Sequence, residues 1–145
     1  MIEMQKAFAY ILYGERILLF REPDFPEAGF QVPAGTVDPG ESPEQTLWRE
    51  VEEETGLGPD TFDPEATHLG VRHYVASKAR GDERHERHFF ALRVRAGLEL
   101  PETWEHAEVF GVDAPVTFEF FWVEPARARE LLVTEHDALL DELSP

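Results

Sequence analysis

Apolar and polar residues follow two rhythms along this chain, and the places where one gives way to the other mark its elements. Lys6 to Tyr13 is a run rich in apolar and aromatic residues that predicts a strand. It turns at Gly14-Glu15 into a second strand, Arg16-Ile17-Leu18-Leu19-Phe20. Residues 21–29 carry Pro and Gly and predict a loop, followed by a short extended run, Phe30-Gln31-Val32, and a loop over Pro33-Ala34-Gly35-Thr36. The rhythm then becomes helical. Ser42 is a good N-cap, Pro43 suits the first helical position, and Gln45 completes a Ser-x-x-Gln capping box. Leu47 and Val51, four apart, define the buried face, and Gly56 is placed to end the helix in a left-handed conformation.

Beyond Gly58, Pro59 and Pro64, the pattern predicts a strand from about His68 to Ser77 and a charged turn at Gly81-Asp82. A further strand follows over His88 to Arg95, where Phe89, Ala91 and Arg93 alternate with Phe90, Leu92 and Val94. Residues 96–116, punctuated by Pro101, Gly111 and Pro115, predict an irregular stretch of functional length. Thr117 to Val123 predicts an aromatic strand. Glu124-Pro125 opens a helix to about Leu132, and Thr134 with Asp137 caps another ending near Leu143. Without repeats or a linker, this reads as one domain spanning 1–145, an α/β fold in layers.

Composition narrows the function classes. The 145 residues are 42% apolar, enough for a real core. No stretch has the length of a membrane span, and the N-terminus lacks the order of a signal peptide. With no cysteine, a thiolate zinc site is excluded and a reducing, cytoplasmic location is expected. The formal net charge is −17, from 30 acidic and 13 basic residues. Repulsion from nucleic-acid polymers and anionic lipid follows. A small anion can still bind where cations invert the local field. Arg72, Lys78, Arg80, Arg84, Arg87, Arg93 and Arg95 put 7 of the 13 basic residues in one hairpin-like region. Most of these are expected to form a solvated face, with one or two meeting a substrate's phosphates. A homodimer is neither required nor excluded.

The chemistry concentrates on the mid-chain helix. Glu50, Glu53 and Glu54 stand at i, i+3 and i+4, so three carboxylates share one surface with only Arg49 to offset them. A helix built for stability alone would interleave cations there. A hard divalent cation resolves the repulsion, because Mg²⁺ and Mn²⁺ take oxygen ligands and bridge carboxylates to phosphates. A solvated acidic face is the bland reading of Glu52-Glu53-Glu54 taken alone. The wider spacing argues against it: Gly35, five residues, Glu41, seven residues, then Arg49-Glu50-Val51-Glu52-Glu53-Glu54-Thr55-Gly56-Leu57.

That pattern resembles the signature of the Nudix hydrolases at every defining position. The resemblance implies an α/β/α sandwich with a mixed β-sheet between helices. It also implies hydrolysis of a diphosphate bond in a nucleoside diphosphate linked to another moiety, such as a nucleotide, a dinucleoside polyphosphate or a nucleotide sugar. It further implies a Mg²⁺ cofactor (or Mn²⁺) held by Glu50, Glu54 and the Ala34 carbonyl, with Glu53 as ligand or water-orienting base. Arg49 would position the glutamates, and Glu41 would brace the loop or join a metal's outer shell. Glu102, Glu105, Glu108 and Glu119 are unranked alternatives for the base.

Substrate contacts are less legible. Tyr74 lies where some dinucleoside polyphosphate hydrolases of the family carry a base-stacking tyrosine, and Arg72 is a candidate phosphate contact. Pro33-Ala34-Gly35 is similar to ADP-ribose hydrolases, whereas the proline those enzymes carry beyond the box is replaced in the region of Val71, Arg72 and His73. Phe30, Trp104 and Trp122 are candidate stacking rings, with core packing expected for Phe30 and Trp122. His85 and His88 do not make a His-Glu-x-x-His zinc motif. A non-catalytic nucleotide sensor on the same fold is the alternative function, and the complete set of box carboxylates argues against it.

Overall fold

The computed structural model describes residues 1–143. Its centre is the long strand β1 (Ile2–Tyr13), in which Ala7 to Leu12 are all buried. Side chains on a strand alternate between faces, so a continuously buried run means that both faces are covered. Odd positions Ala7, Ala9 and Ile11 enter one core layer, and Phe8, Tyr10 and Leu12 enter the other.

Gly14 turns β1 into β2 (Arg16–Arg21), and the two pair antiparallel only at Leu12–Tyr13 with Arg16–Ile17. The other half of that edge of β1 is taken by β3 (Ala34–Thr36), through Lys6, Ala7 and Phe8. The sequence predicts a loop at Ala34–Thr36 and an extended run at Phe30–Val32. The structure reverses this: Phe30 and Gln31 make only isolated bridges, to Leu132 and Phe20, and the ladder forms downstream. Backbone groups left free on β1 where β2 diverges supply the partners.

Helix α1 (Pro43–Thr55) has the predicted ends. The Ser42 side chain accepts from the Gln45 amide at 3.1 Å, the Gln45 side chain accepts from the Ser42 amide at 2.8 Å, and Gly56 closes the helix at φ 81°. Leu47 and Val51 are fully buried against the first layer, worth about 1.5–3 kcal/mol each.

Strands β4 (Thr67–Ala76) and β5 (Glu83–Arg93) form an antiparallel pair, and β5 runs parallel to β1 from Ile2↔Glu83 to Leu12↔Arg93. Thus β5 starts five residues earlier than the apolar rhythm predicts, because pairing with β1 carries the charged stretch Glu83–Arg87 into the sheet. In the stretch 96–116, expected to be irregular, the structure has a strand, β6 (Thr103–Glu108), paired with β7 (Val116–Val123). Its inner face is Trp104, His106 and Glu108, two of them polar, which hides the period-two signal. Seven strands make one mixed sheet among the described residues, ordered β4-β5-β1-β2-β7-β6 with β3 beside β1.

Helix α2 (Pro125–Leu131) and the C-terminal turns cover the second face, where Ala128, Leu132, Leu139 and Leu140 meet Phe8, Tyr10 and Phe89. The α/β/α sandwich expected from the sequence is therefore present. The helix predicted from Thr134 is absent: Thr134 and Glu135 take φ of 49° and 62°, and only a 3-10 turn, Leu140–Glu142, follows. Tertiary bonds to this backbone displace helical ones. The Tyr10 hydroxyl donates to the His136 carbonyl at 2.7 Å and accepts from the Leu139 amide at 3.1 Å, while Arg87 donates to the Thr134 carbonyl at 2.6 Å.

Candidate active site

Helix α1 lies against β3 on one side and against β6 on the other, and the charged side chains converge in that angle. Arg49 organises them. Its Nε and Nη2 bind Glu41 as a fork at 2.7 and 2.9 Å, and its Nη1 donates to Glu50 at 2.8 Å and to Glu53 at 3.3 Å. Nη2 also reaches the Thr36 carbonyl and the Asp38 carboxylate, each at 3.3 Å. Glu41 accepts in addition from the Thr46 hydroxyl at 2.7 Å and the Asp38 amide at 3.1 Å. Hydrogen bonds from Arg49 and then from Thr46 hold the Glu41 carboxyl down at about 2. Glu41 therefore ties Arg49 and Thr46 to the Asp38 backbone in the loop before α1.

Glu50 lies directly on Gly35. A methyl group added at Gly35 would fall inside the Glu50 carboxylate, so the chain passes here only because residue 35 has no side chain. Glu54 is 5% exposed, and its Oε2 accepts from the Ala34 amide at 2.9 Å. The structure thus links Glu54 to Ala34 through the amide nitrogen. Burial, reinforced by Glu50 and Glu108, pushes the Glu54 carboxyl well above the usual range, and burial also raises Glu50.

Glu108, at the end of β6, completes the group. One carboxylate oxygen each from Glu50, Glu53 and Glu108 lie within 4.8 Å of one another. Glu108 Oε2 is buried without a hydrogen-bond partner, and burial, then the fields of Glu50 and Glu53, push its carboxyl up to about 7. The four carboxylates left open by the sequence are thereby separated. Glu102 pairs with Arg16 at 2.8 Å and Glu119 with Arg21 at 2.9 Å, Glu105 is exposed on the outer face of β6, and Glu108 alone of the four joins the box.

The residues present fit a hard divalent cation. All donors are oxygens, the carboxylates repel one another, and a buried acceptor oxygen has no donor.

On the sheet face away from α1, Ala34 and Gly35 also wall a cleft of about 410 Å³ lined by Lys6, Tyr74, Lys78, His85, Arg87 and His136 among others. Tyr74 stands in this cleft, but one face of its ring is covered by the Arg87 guanidinium, 3.8 Å from the ring centre. Arg72 lines neither this cleft nor the larger, acidic one of about 920 Å³ that runs along Val37–Glu41. Its Nη1 donates to the adjacent Val71 carbonyl. The candidate stacking rings are engaged: Trp104 donates to the Thr55 carbonyl and stacks on Phe120, Trp122 donates to the Pro101 carbonyl, and Phe30 packs edge-on to Phe121. His85 and His88 fall on opposite sheet faces, His85 beside Glu83 at 3.1 Å and His88 beside His68 at 3.3 Å.

The model of the NUDIX domain matches residues 3–143. The chain belongs to the Nudix family. It is 30% identical to the RNA pyrophosphohydrolase of Erythrobacter litoralis (strain HTCC2594) over 111 residues, 72% of this chain and 64% of that protein, so the match spans less than two thirds of the relative's length. Among solved structures, the E. coli dihydroneopterin triphosphate pyrophosphohydrolase superposes with a TM-score of 0.71 at 16% identity, covering 99% of this chain and 97% of that one. A MutT NUDIX hydrolase from Burkholderia pseudomallei gives 0.68 at 22% identity, covering 99% and 100%. At these identities the likeness establishes the Nudix fold.

Proposed function

We propose that this chain is a metal-dependent pyrophosphohydrolase that cuts a diphosphate bond in a nucleoside diphosphate linked to another moiety. One observation carries the reading: Arg49 gathers Glu41, Glu50 and Glu53 while β6 brings Glu108 to the same point, crowding carboxylates that one arginine does not neutralise. Glu50, Glu54 and the Ala34 carbonyl would hold the cation, Mg²⁺ or Mn²⁺, with Glu53 and Glu108 crowding the same point. When bound, the cation supplies charge that offsets the phosphate oxygens and makes water a better nucleophile.

The remaining work falls to the chain's own groups. Glu53 is 45% exposed at its side chain against 15% for Glu50, so it is the box carboxylate that solvent reaches and the proposed acceptor of a proton from the attacking water. Arg49 keeps the carboxylates in fixed relative positions, which suits a reaction whose catalysis rests on positioning and charge. Gly35 lets Glu50 approach the β3 backbone, and the capping box fixes where α1 begins.

A panel of nucleotides assayed for released phosphate with Mg²⁺, coupled to a phosphatase, tests the reading. Glu53→Gln and Glu54→Gln are each expected to lower kcat by at least about a hundredfold. Near-normal turnover in both variants at saturating Mg²⁺ would refute the assignment, and tight nucleotide binding without cleavage by the unaltered protein would favour a sensor.

A further inference from the structure

Strand β6 lies at the edge of the sheet, and among the described residues it pairs with β7 alone. Its outer face is Thr103, Glu105 and Ala107, and its inner face is Trp104, His106 and Glu108, so neither side offers a continuous apolar row. Burial of such a row normally fixes where a strand sits, and a shift of one residue turns every side chain to the opposite face. Here a shift of one would turn Glu108 outward, and a shift of two would set His106 in its place. The placement of β6 must therefore come from directional contacts.

Helix α1 supplies them. Thr55 is its last residue, and the carbonyl there lies beyond the reach of any donor within the helix. The Trp104 indole meets it, donating from Nε1 at 2.9 Å. The Trp104 ring is itself steadied by stacking on Phe120, its register partner on β7, with ring centres 5.2 Å apart and planes at 20°. Two residues on, the His106 ring lies over the helix end, where a methyl group on Gly56 would come within 3.1 Å of Nδ1. Four residues on, Glu108 meets Glu50 and Glu53. That last contact is repulsive, because Glu108 Oε2 is buried with no donor of its own. The indole bond is the attractive contact that opposes it.

We infer that Trp104 is a positioning residue: its bond to the Thr55 carbonyl pins β6 against α1 and so sets Glu108 beside Glu50 and Glu53. The inference rests on the pyrophosphohydrolase reading for what Glu108 serves, and adds what puts it there. The bond also falls one residue from Glu54, so it fixes the helix turn whose carboxylate reaches the Ala34 amide.

Trp104→Phe removes the N–H and keeps a ring for Phe120 to stack on. In chelator-stripped full-length protein, hydrogen exchange at the β6 amides that bond β7 should quicken by about fivefold, the worth of one hydrogen bond, while β1 and β5 keep their rates. Calorimetric titration should show Mn²⁺ affinity falling by about the same factor. In the Glu108→Gln background the same change should leave Mn²⁺ affinity within about twofold, because the group that Trp104 places is gone. Should Trp104→Phe fold poorly, exchange of the indole N–H in the unaltered protein decides. Protection comparable to that of the Trp122 indole, which donates to the Pro101 carbonyl at 3.0 Å, is expected, and exchange at the rate of a free indole would overturn the inference.

A loss of Mn²⁺ affinity equal in both backgrounds would mean that Trp104 serves the fold and not Glu108, overturning the inference while the hydrolase reading stands. Unchanged exchange along β6 in Trp104→Phe would overturn it as well. If the unaltered protein takes up no metal and cuts no nucleotide, yet β6 alone exchanges faster in Trp104→Phe, the catalytic reading fails and the placement of β6 by Trp104 survives.

Discussion

Arg87 is buried and Arg49 partly so, and their surroundings are opposite. Arg49 meets the carboxylates of Glu41, Glu50, Glu53 and Asp38, so the cation is outnumbered and negative charge remains. Arg87 meets two aromatic rings, a carbonyl and a histidine, so positive charge remains. Ala34 and Gly35 separate the two. On the proposed reading the anionic place would take a metal ion, while the cationic one keeps its charge against aromatic rings. The difference teaches that the net charge of −17 describes the surface and not the cleft.

Breaking the acidic side should have the largest effect. Glu108→Gln keeps the shape of β6 and removes one of the converging carboxylates, and it is expected to lower kcat by about a hundredfold. Glu105→Gln, three residues away on the outer face of the same strand, should stay within about twofold of the unaltered protein. Equal rates for the two variants would detach β6 from the site.

A second contrast concerns protons on the basic side. His136 is 5% exposed, its Nδ1 accepts from the Val32 amide at 3.1 Å, and burial, then the Arg87 charge, depress its imidazole to about 3. The unfolded chain takes up this proton near pH 6.5 and the folded chain refuses it, so stability is full above pH 6.5 and is lost as the pH falls toward 3. Between pH 7 and 5 denaturant unfolding should lose about 2 kcal/mol through this residue. The loss should shrink in His136→Gln, and also in Arg87→Met, where the neighbouring charge is gone. An identical slope in all three proteins would contradict the assignment.

The smallest effect is expected at Arg49. Arg49→Lys keeps the charge and forfeits the fork to Glu41, and should lower kcat by about tenfold. An unchanged rate would show that charge alone, without geometry, organises the glutamates.

The parts legible in the sequence were those set by local chemistry. The start and end of α1 follow from Ser42, Gln45 and Gly56, whose bonds join residues a few positions apart. The spacing from Gly35 to Leu57 identified the family because one short segment carries it. What escaped was fixed by distant partners. Glu108 stood among four unranked carboxylates, because the strand that sets it apart has an inner face that includes His106 and so hides the alternation of apolar and polar residues. The turn at Thr134 replaces a well-capped helix because Tyr10 and Arg87, far away in the chain, bind its backbone. Arg87 was one of seven cations in a charged region, and only its pairing beside Lys6 in the sheet sets it apart. Arg72, one candidate phosphate contact, sits two positions before Tyr74 on the same edge strand and does not line the cleft.

The central claim is that the crowding of Glu50, Glu53 and Glu108 anticipates a divalent cation. Calorimetric titration of Mg²⁺ and Mn²⁺ into chelator-stripped protein tests it most directly, beside a thermal unfolding series. Saturable uptake is expected, abolished in Glu50→Gln and weakened in Glu108→Gln, with stabilisation rising to about 2.7 kcal/mol at a hundredfold excess over Kd. No uptake by the unaltered protein, with or without nucleotide, and an unfolding temperature indifferent to either metal would contradict the account.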